Sequence, residues 1–251
     1  MQETVVIPAR FRGPPNSGNG GYVGGMVAGL LDAPYGGAEG AVEATLRAPI
    51  PLDTPLTVER DGVHALRLTR DGQLVVEARC SPLSLELPAL PALAAARAAR
   101  EDSPSFYRDV NPLVPGGTGF HPVCVCCGAD VADDEGLHVY AGPVPGFAGV
   151  AAAWRPHPGL ATEGGVLPAE IVWTALDCPG QFAWMVDGVK TGLLGRMTAR
   201  LLAPVPADRE LLVRGWCIGA EGRKYFAGTA LLSADGTVHA FARQVWIGRM
   251  D

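Results

Sequence analysis

The chain has 251 residues, 48% hydrophobic and 18% charged, with a formal net charge of −6 from 20 Lys+Arg and 26 Asp+Glu. That composition supplies a sizeable core and excludes global disorder, and the length suits one large domain or two of ordinary size. The acidic balance without a basic cluster argues against nucleic acid as a partner and offers no attraction to an anionic membrane surface.

"MQETVVIPARFRGPP" lacks the charged-then-apolar layout of a signal peptide, and no apolar run reaches the ~18 residues of a membrane span. The expectation is a soluble cytoplasmic protein with no membrane partner.

In chain order, a β segment, "TVVIPARF", comes first, followed by "NGGYVGGMVAGLLDAP". Val23, Met26, Val27, Leu30 and Leu31 fall at helical spacing and predict a helix over 21–32 that closes on Asp32. Gly20, Gly21, Gly24 and Gly25 oppose it, each by ~1 kcal/mol against alanine. Such glycines make sense where backbone must approach closely, as under a curved sheet.

Next, "LTVERDGVHALRLTRDGQLVVEARC" alternates Leu66 and Leu68 with Arg67 and Thr69, and Asp61-Gly62 and Asp71-Gly72 signal tight hairpin turns. "LPALPALAAARAARED" predicts a short linker helix, followed by a Pro/Gly-rich loop to about residue 120. A second series then begins: the β segment "GLHVYAGPVPGFAGVAAAW", one apolar helix over about 168–177, and β-rich segments from "ELLVRGWCIG" to "FARQVWI".

The two series are related. "LRAPIPLDTPLTV" from Leu46 shares an x-A-P-x-P-x-D frame with "LLAPVPADRELLV" from Leu201. "DGQLVVEAR" from Asp71 matches "DGTVHAFAR" from Asp235, and "LLDAP" ending at Pro34 matches "ALDCP" ending at Pro179. Three matches in the same order indicate internal duplication. The predicted units are 1–87 and 121–251, joined by a linker over 88–120.

One helix held by a long antiparallel sheet, present twice, resembles the tandem, or double, hot-dog fold of the acyl-CoA thioesterase-like family. "VGGMVAGLLDAP" is similar to the H-G-G-x-x-A-x-L-L-D-x-A stretch of hot-dog thioesterases, with Val23 where histidine is common. The resemblance implies an α+β double hot-dog that cleaves an acyl thioester, CoA-type by substrate class, and that can pair as a homodimer. It also implies an oxyanion-binding amide at Gly24 and a catalytic carboxylate at Asp32. The second copy keeps the acid as Asp177 but carries Pro168, Ala169 and Glu170 in place of the glycines. The fold further implies that the helix start of one unit lies near the helix of the other. Alternatives within the fold are a non-catalytic acyl-binding protein and an enoyl-CoA hydratase.

Thioester hydrolysis needs a donor for the developing oxyanion, worth ~10²–10³ in rate, and a carboxylate base or nucleophile, worth ~10²–10⁴. Helix N-terminal amides suit the first task. Asp32 and Asp177 fit the second, or each merely closes its helix before a proline. Asn19 reads as a helix cap or a substrate contact, beside the helix-opening glycines Gly20, Gly21 and Gly25. Tyr22 and Trp173 read as core residues or acyl-pocket walls. Glu170 is a favourable first-turn acid with a substrate-binding alternative.

"HPVCVCCG" contains Cys124-x-x-Cys127, a zinc half-site that His121 or His138 could join, but a second C-x-x-C is missing. The expectation is therefore no metal and no cofactor. Asp133 and His138 have the hydratase spacing D-x-x-x-x-H but fall in a loop. No G-x-S-x-G elbow, phosphate loop or dinucleotide fingerprint is present.

Overall fold

The computed structural model describes residues 3–31, 40–107, 114 and 116–248, so Asp32 lies outside the described residues. The first half contains β1 (Thr4–Val6), α1 (Gly20–Leu30), β2 (Ala41–Leu46), β3 (Pro55–Asp61), β4 (Ala65–Arg70) and β5 (Gln73–Ser81). The linker helix is α2 (Leu93–Ala98). The second half begins with β6 (Gly142–Pro143), β7 (Val150–Trp154), β8 (Val166–Leu167), α3 (Ala169–Ala175) and α4 (Cys178–Val186). It continues with β9 (Leu193–Leu201), β10 (Val205–Pro206), β11 (Leu211–Glu221), β12 (Lys224–Ser233) and β13 (Val238–Ile247).

These strands form one 11-stranded sheet in the order β1-β3-β4-β5-β2-β9-β13-β12-β11-β7-β6, while β8 and β10 pair separately. The seam is the antiparallel pair β2–β9, with Val42 opposite Ala199 and Thr45 opposite Arg196. Read outward from the seam, β2-β5-β4-β3-β1 on one side mirrors β9-β13-β12-β11-β7 on the other. The duplication read in the sequence is thus a duplication of topology, and the fold is the double hot-dog. The frames at Leu46 and Leu201 mark equivalent exits from the two seam strands.

Turn chemistry follows the sequence. Asp71 (φ 50) and Gly72 (φ 77) both occupy the left-handed region between Arg70 and its partner Gln73, as a two-residue hairpin turn demands. Asn19 caps α1, its side-chain oxygen accepting from the Tyr22 amide at 2.9 Å.

Two expectations need correction. Gly21, Gly24 and Gly25 face α3, and of the four glycines that open α1 Gly20 is the one set against the sheet, at Leu46 and Leu194. A Cβ at Gly21 would sit 2.5 Å from the Trp173 carbonyl oxygen, and one at Gly25 2.4 Å from the Glu170 Cα. Glycine is what lets these helix backbones touch. The second unit also holds two helices in succession, because Pro179-Gly180 is not a break. Proline is tolerated in the first turn of a helix, where no intrahelical N–H is lost.

α1 rests on β2, β5 and β9 at the seam, α3 packs against α1, and α4 packs on β11 and β12. The core beneath them includes fully buried Trp154, Trp173, Phe182, Leu68 and Leu231.

Candidate functional site at the junction of the two units

Asp177 lies between α3 and α4 and is 3% exposed. Its carboxylate does not cap its own helix. Instead Oδ2 accepts from the Gly21 N–H of the first unit at 3.1 Å. First-turn amides of a helix have no intrahelical partner, and the positive helix end favours an anion there. The helix start of one unit is therefore joined to the acid of the other.

The second oxygen, Oδ1, is buried with no hydrogen-bond partner. Burial, reinforced by the thiols of Cys126 and Cys124, pushes the Asp177 carboxyl well above its ordinary range, against the opposing pull of the Gly21 amide and Asn19.

Gln244 on β13 holds this bend. Its Nε2 donates to the carbonyls of Leu176 at 2.6 Å and Asp177 at 3.0 Å, and its Oε1 accepts from the Trp246 indole at 2.9 Å. Both of its amide N–H donors are directed at fixing where Asp177 stands.

Asp177 opens onto a cavity of about 460 Å³ between the units. Asn19, Gly20, Leu46 and Ile50 line it from the first unit, and Gln181, Leu194 and Trp246 from the second. The loop that opens the second unit adds His121 and Cys124, and the cations Arg47 and Arg223 also reach it. Gln181 Nε2 donates to the Gly192 carbonyl at 2.8 Å, which turns Oε1 toward His121 Nε2 at 2.8 Å. An amide oxygen only accepts, so this imidazole nitrogen is the donor.

Of the residues singled out in the sequence, Asp177, Asn19 and Gly20 meet at the cavity, with Gly21 bonded to Asp177 behind them. Gly24 and Gly25 lie deeper in α1, where Gly24 packs on the Trp173 ring, and neither lines the cavity. Glu170 and Trp173 belong to the same helix contact, and Tyr22 stacks on Phe11 with ring centroids 3.8 Å apart. Asp133 and His138 come within 4.0 Å of each other at a separate shallow cleft. The His138 ring contacts Tyr140 and the Ala132 carbonyl.

Sequence reasoning did not find Gln181, Gln244 or Cys178. Gln244 carried a signal: it is a polar residue on the face of β13 otherwise occupied by Ala240, Ala242 and Trp246. Among the described residues, no helix is long and apolar enough to cross a membrane.

No family model matches the chain, and no curated protein matches it. Solved structures do. The tesB protein of Mycobacterium avium subs paratuberculosis superposes with TM-score 0.59 at 15% identity, covering 98% of this chain and 92% of that one. A thioesterase candidate from Novosphingobium aromaticivorans gives TM-score 0.59 at 12% identity, covering 98% and 95%. The acyl-CoA thioesterase II TesB2 of Mycobacterium marinum gives 0.50 at 17%, covering 92% and 91%. At these identities the likeness is one of fold: along nearly its whole length, the chain has the architecture of double hot-dog thioesterase structures.

Proposed function

We propose that the chain hydrolyses an acyl thioester of the CoA class in the inter-unit cavity, with Asp177 as the general base or nucleophile. The observation that carries this reading is the Asp177 carboxylate. One oxygen is anchored to the start of α1, and the other is buried and unpartnered beside a largely apolar chamber. A thioester carbonyl beside Gly20 would lie at the positive end of α1, where developing negative charge is favoured.

Gly24, the position that the resemblance assigns to the oxyanion, sits one turn deeper, so Gly20 takes that place in the proposal. Arg47 and Arg223 suit the phosphates of the carrier, since guanidinium forks match phosphate oxygens. The fold likeness to thioesterase structures supports the same reaction class.

Thiol release measured over short-chain, long-chain and aromatic acyl-CoAs tests this reading. Turnover on at least one of them is expected. Saturable binding without turnover on every one would make the chain an acyl-binding module instead.

A further inference from the structure

The loop that opens the second unit and the start of α4 bring four thiols together. Cys124, Cys126, Cys127 and Cys178 are all buried and unbridged. The sulfurs of Cys124, Cys127 and Cys178 lie within 4.8 Å of one another, with Cys124 Sγ 3.7 Å from Cys178 Sγ. Cys126, the fourth buried thiol, sits on the same loop beside Cys127 and outside that close trio. Four thiolates around zinc at about 2.3 Å, in tetrahedral geometry, stand about 3.8 Å from one another. The Cys124–Cys178 separation is already that edge.

The backbone is arranged for the same end. Cys124-x-x-Cys127 is followed by Gly128, whose amide bonds the Cys124 carbonyl at 2.7 Å. A Cβ on Gly128 would stand 2.6 Å from that carbonyl oxygen and 2.7 Å from the Cys124 nitrogen. The chain thus wraps tightly around the first sulfur, and only glycine permits the wrap. Cys178 occupies the first position of α4 and so is held by a rigid element. Asn19 Nδ2 donates to Cys124 Sγ at 3.7 Å, a contact of the outer-sphere kind that orients a metal-binding sulfur.

We propose that Cys124, Cys127 and Cys178 bind one zinc ion, with Cys126 closing the tetrahedron. The expectation of no metal rests on the lack of a second C-x-x-C, and Cys178 supplies the ligand that spacing could not show. An all-sulfur closed set leaves no position for water and marks a structural site. Its ligands would tie the 121–128 loop to α4. That loop also meets the first unit, since Val125 N–H donates to the Arg12 carbonyl at 2.9 Å. The ion would therefore brace the cavity wall beside Asp177, to which Cys124 and Cys178 both belong.

The test is metal analysis of the full chain prepared without chelator, with Co²⁺ exchanged for the native ion as a spectroscopic probe. One zinc per chain is expected. The cobalt form is expected to show near-ultraviolet thiolate charge-transfer and the intense visible bands of a tetrahedral site. Cys178→Ser is expected to abolish stoichiometric zinc. Cys126→Ser is expected to shift the cobalt visible bands as oxygen replaces sulfur. Cys80→Ser, on β5 away from the cluster, is expected to bind as the parent does. Should the serine variants fail to fold, the stoichiometry and cobalt spectrum of the parent chain still decide. Trace metal only, with no cobalt–thiolate spectrum, would overturn the proposal, as would a disulfide among these cysteines in protein isolated under reducing conditions.

Discussion

Gly25→Ala is expected to destabilise the protein while Gly29→Ala, one helical turn along the same helix, stabilises it. The added methyl at Gly25 would lie 2.4 Å from the Glu170 Cα and 2.8 Å from both the Ala169 carbonyl oxygen and the Glu170 nitrogen. Carbon atoms rest ~3.5–4.0 Å apart, so α3 would have to retreat by about 1 Å or more. Those atoms are backbone and cannot turn aside. Overpacking of this kind costs ~1–3 kcal/mol, and a backbone clash belongs at the upper end.

Alanine returns ~1 kcal/mol of helix propensity, leaving a net loss of about 2 kcal/mol. In a chain of this size that is ~4–8 °C in Tm. At Gly29 a Cβ meets nothing within 4 Å, so only the propensity gain remains, ~1 kcal/mol or ~2–4 °C upward. Thermal and urea unfolding of the two variants beside the parent measures both shifts. Gly25→Ala at or above parental stability would refute the claim that glycine exists there to let α1 meet α3.

Gln244→Leu is expected to leave the Leu176 and Asp177 carbonyls buried without their donor, at ~1–3 kcal/mol for each group, read as a fall in the urea midpoint. Arg223→Ala is expected to raise KM for an acyl-CoA several-fold while leaving turnover of the matching acyl N-acetylcysteamine thioester unchanged, because only the former carries nucleotide phosphates. An equal effect on both thioesters would remove Arg223 from the carrier's path. His239 is buried on β13, and burial holds its imidazole below the ordinary value of about 6.5. The unfolded chain therefore takes up a proton first, so stability is expected to fall as pH drops below about 6.5 and to level off below the lowered folded-state value. His239→Asn is expected to flatten that part of the pH profile, measured by urea unfolding at a series of pH values.

Much of this architecture is legible in the order of the residues alone. The paired A-P-x-P-x-D frames and the Asp-Gly turns mark equivalent points of two units, because strand exits and hairpins are set by local chemistry. Asp177 can be named from its echo of Asp32. What cannot be read there is what meets what. The glycines of α1 announce a close approach, but nothing local says that α3 makes it.

The site draws on Asn19, His121, Asp177 and Gln244, which only the tertiary fold gathers, and Cys178 stands 51 positions beyond Cys127. The helix after Asp177 is hidden by Pro179-Gly180, a pair that reads as a turn unless proline is placed in the first turn. Gly24 follows the resemblance into the oxyanion role, whereas the structure turns that residue toward Trp173.

The central claim is that Asp177 performs the chemistry, and Asp177→Asn tests it most directly. The amide keeps the shape and can still accept the Gly21 N–H, so folding is expected to survive, with Tm near that of the parent. On the acyl-CoA that the parent turns over fastest, kcat is expected to fall by about two orders of magnitude or more, the scale of a lost general base or nucleophile, with KM little changed. Turnover within a few fold of the parent, in a variant that folds, would contradict the account.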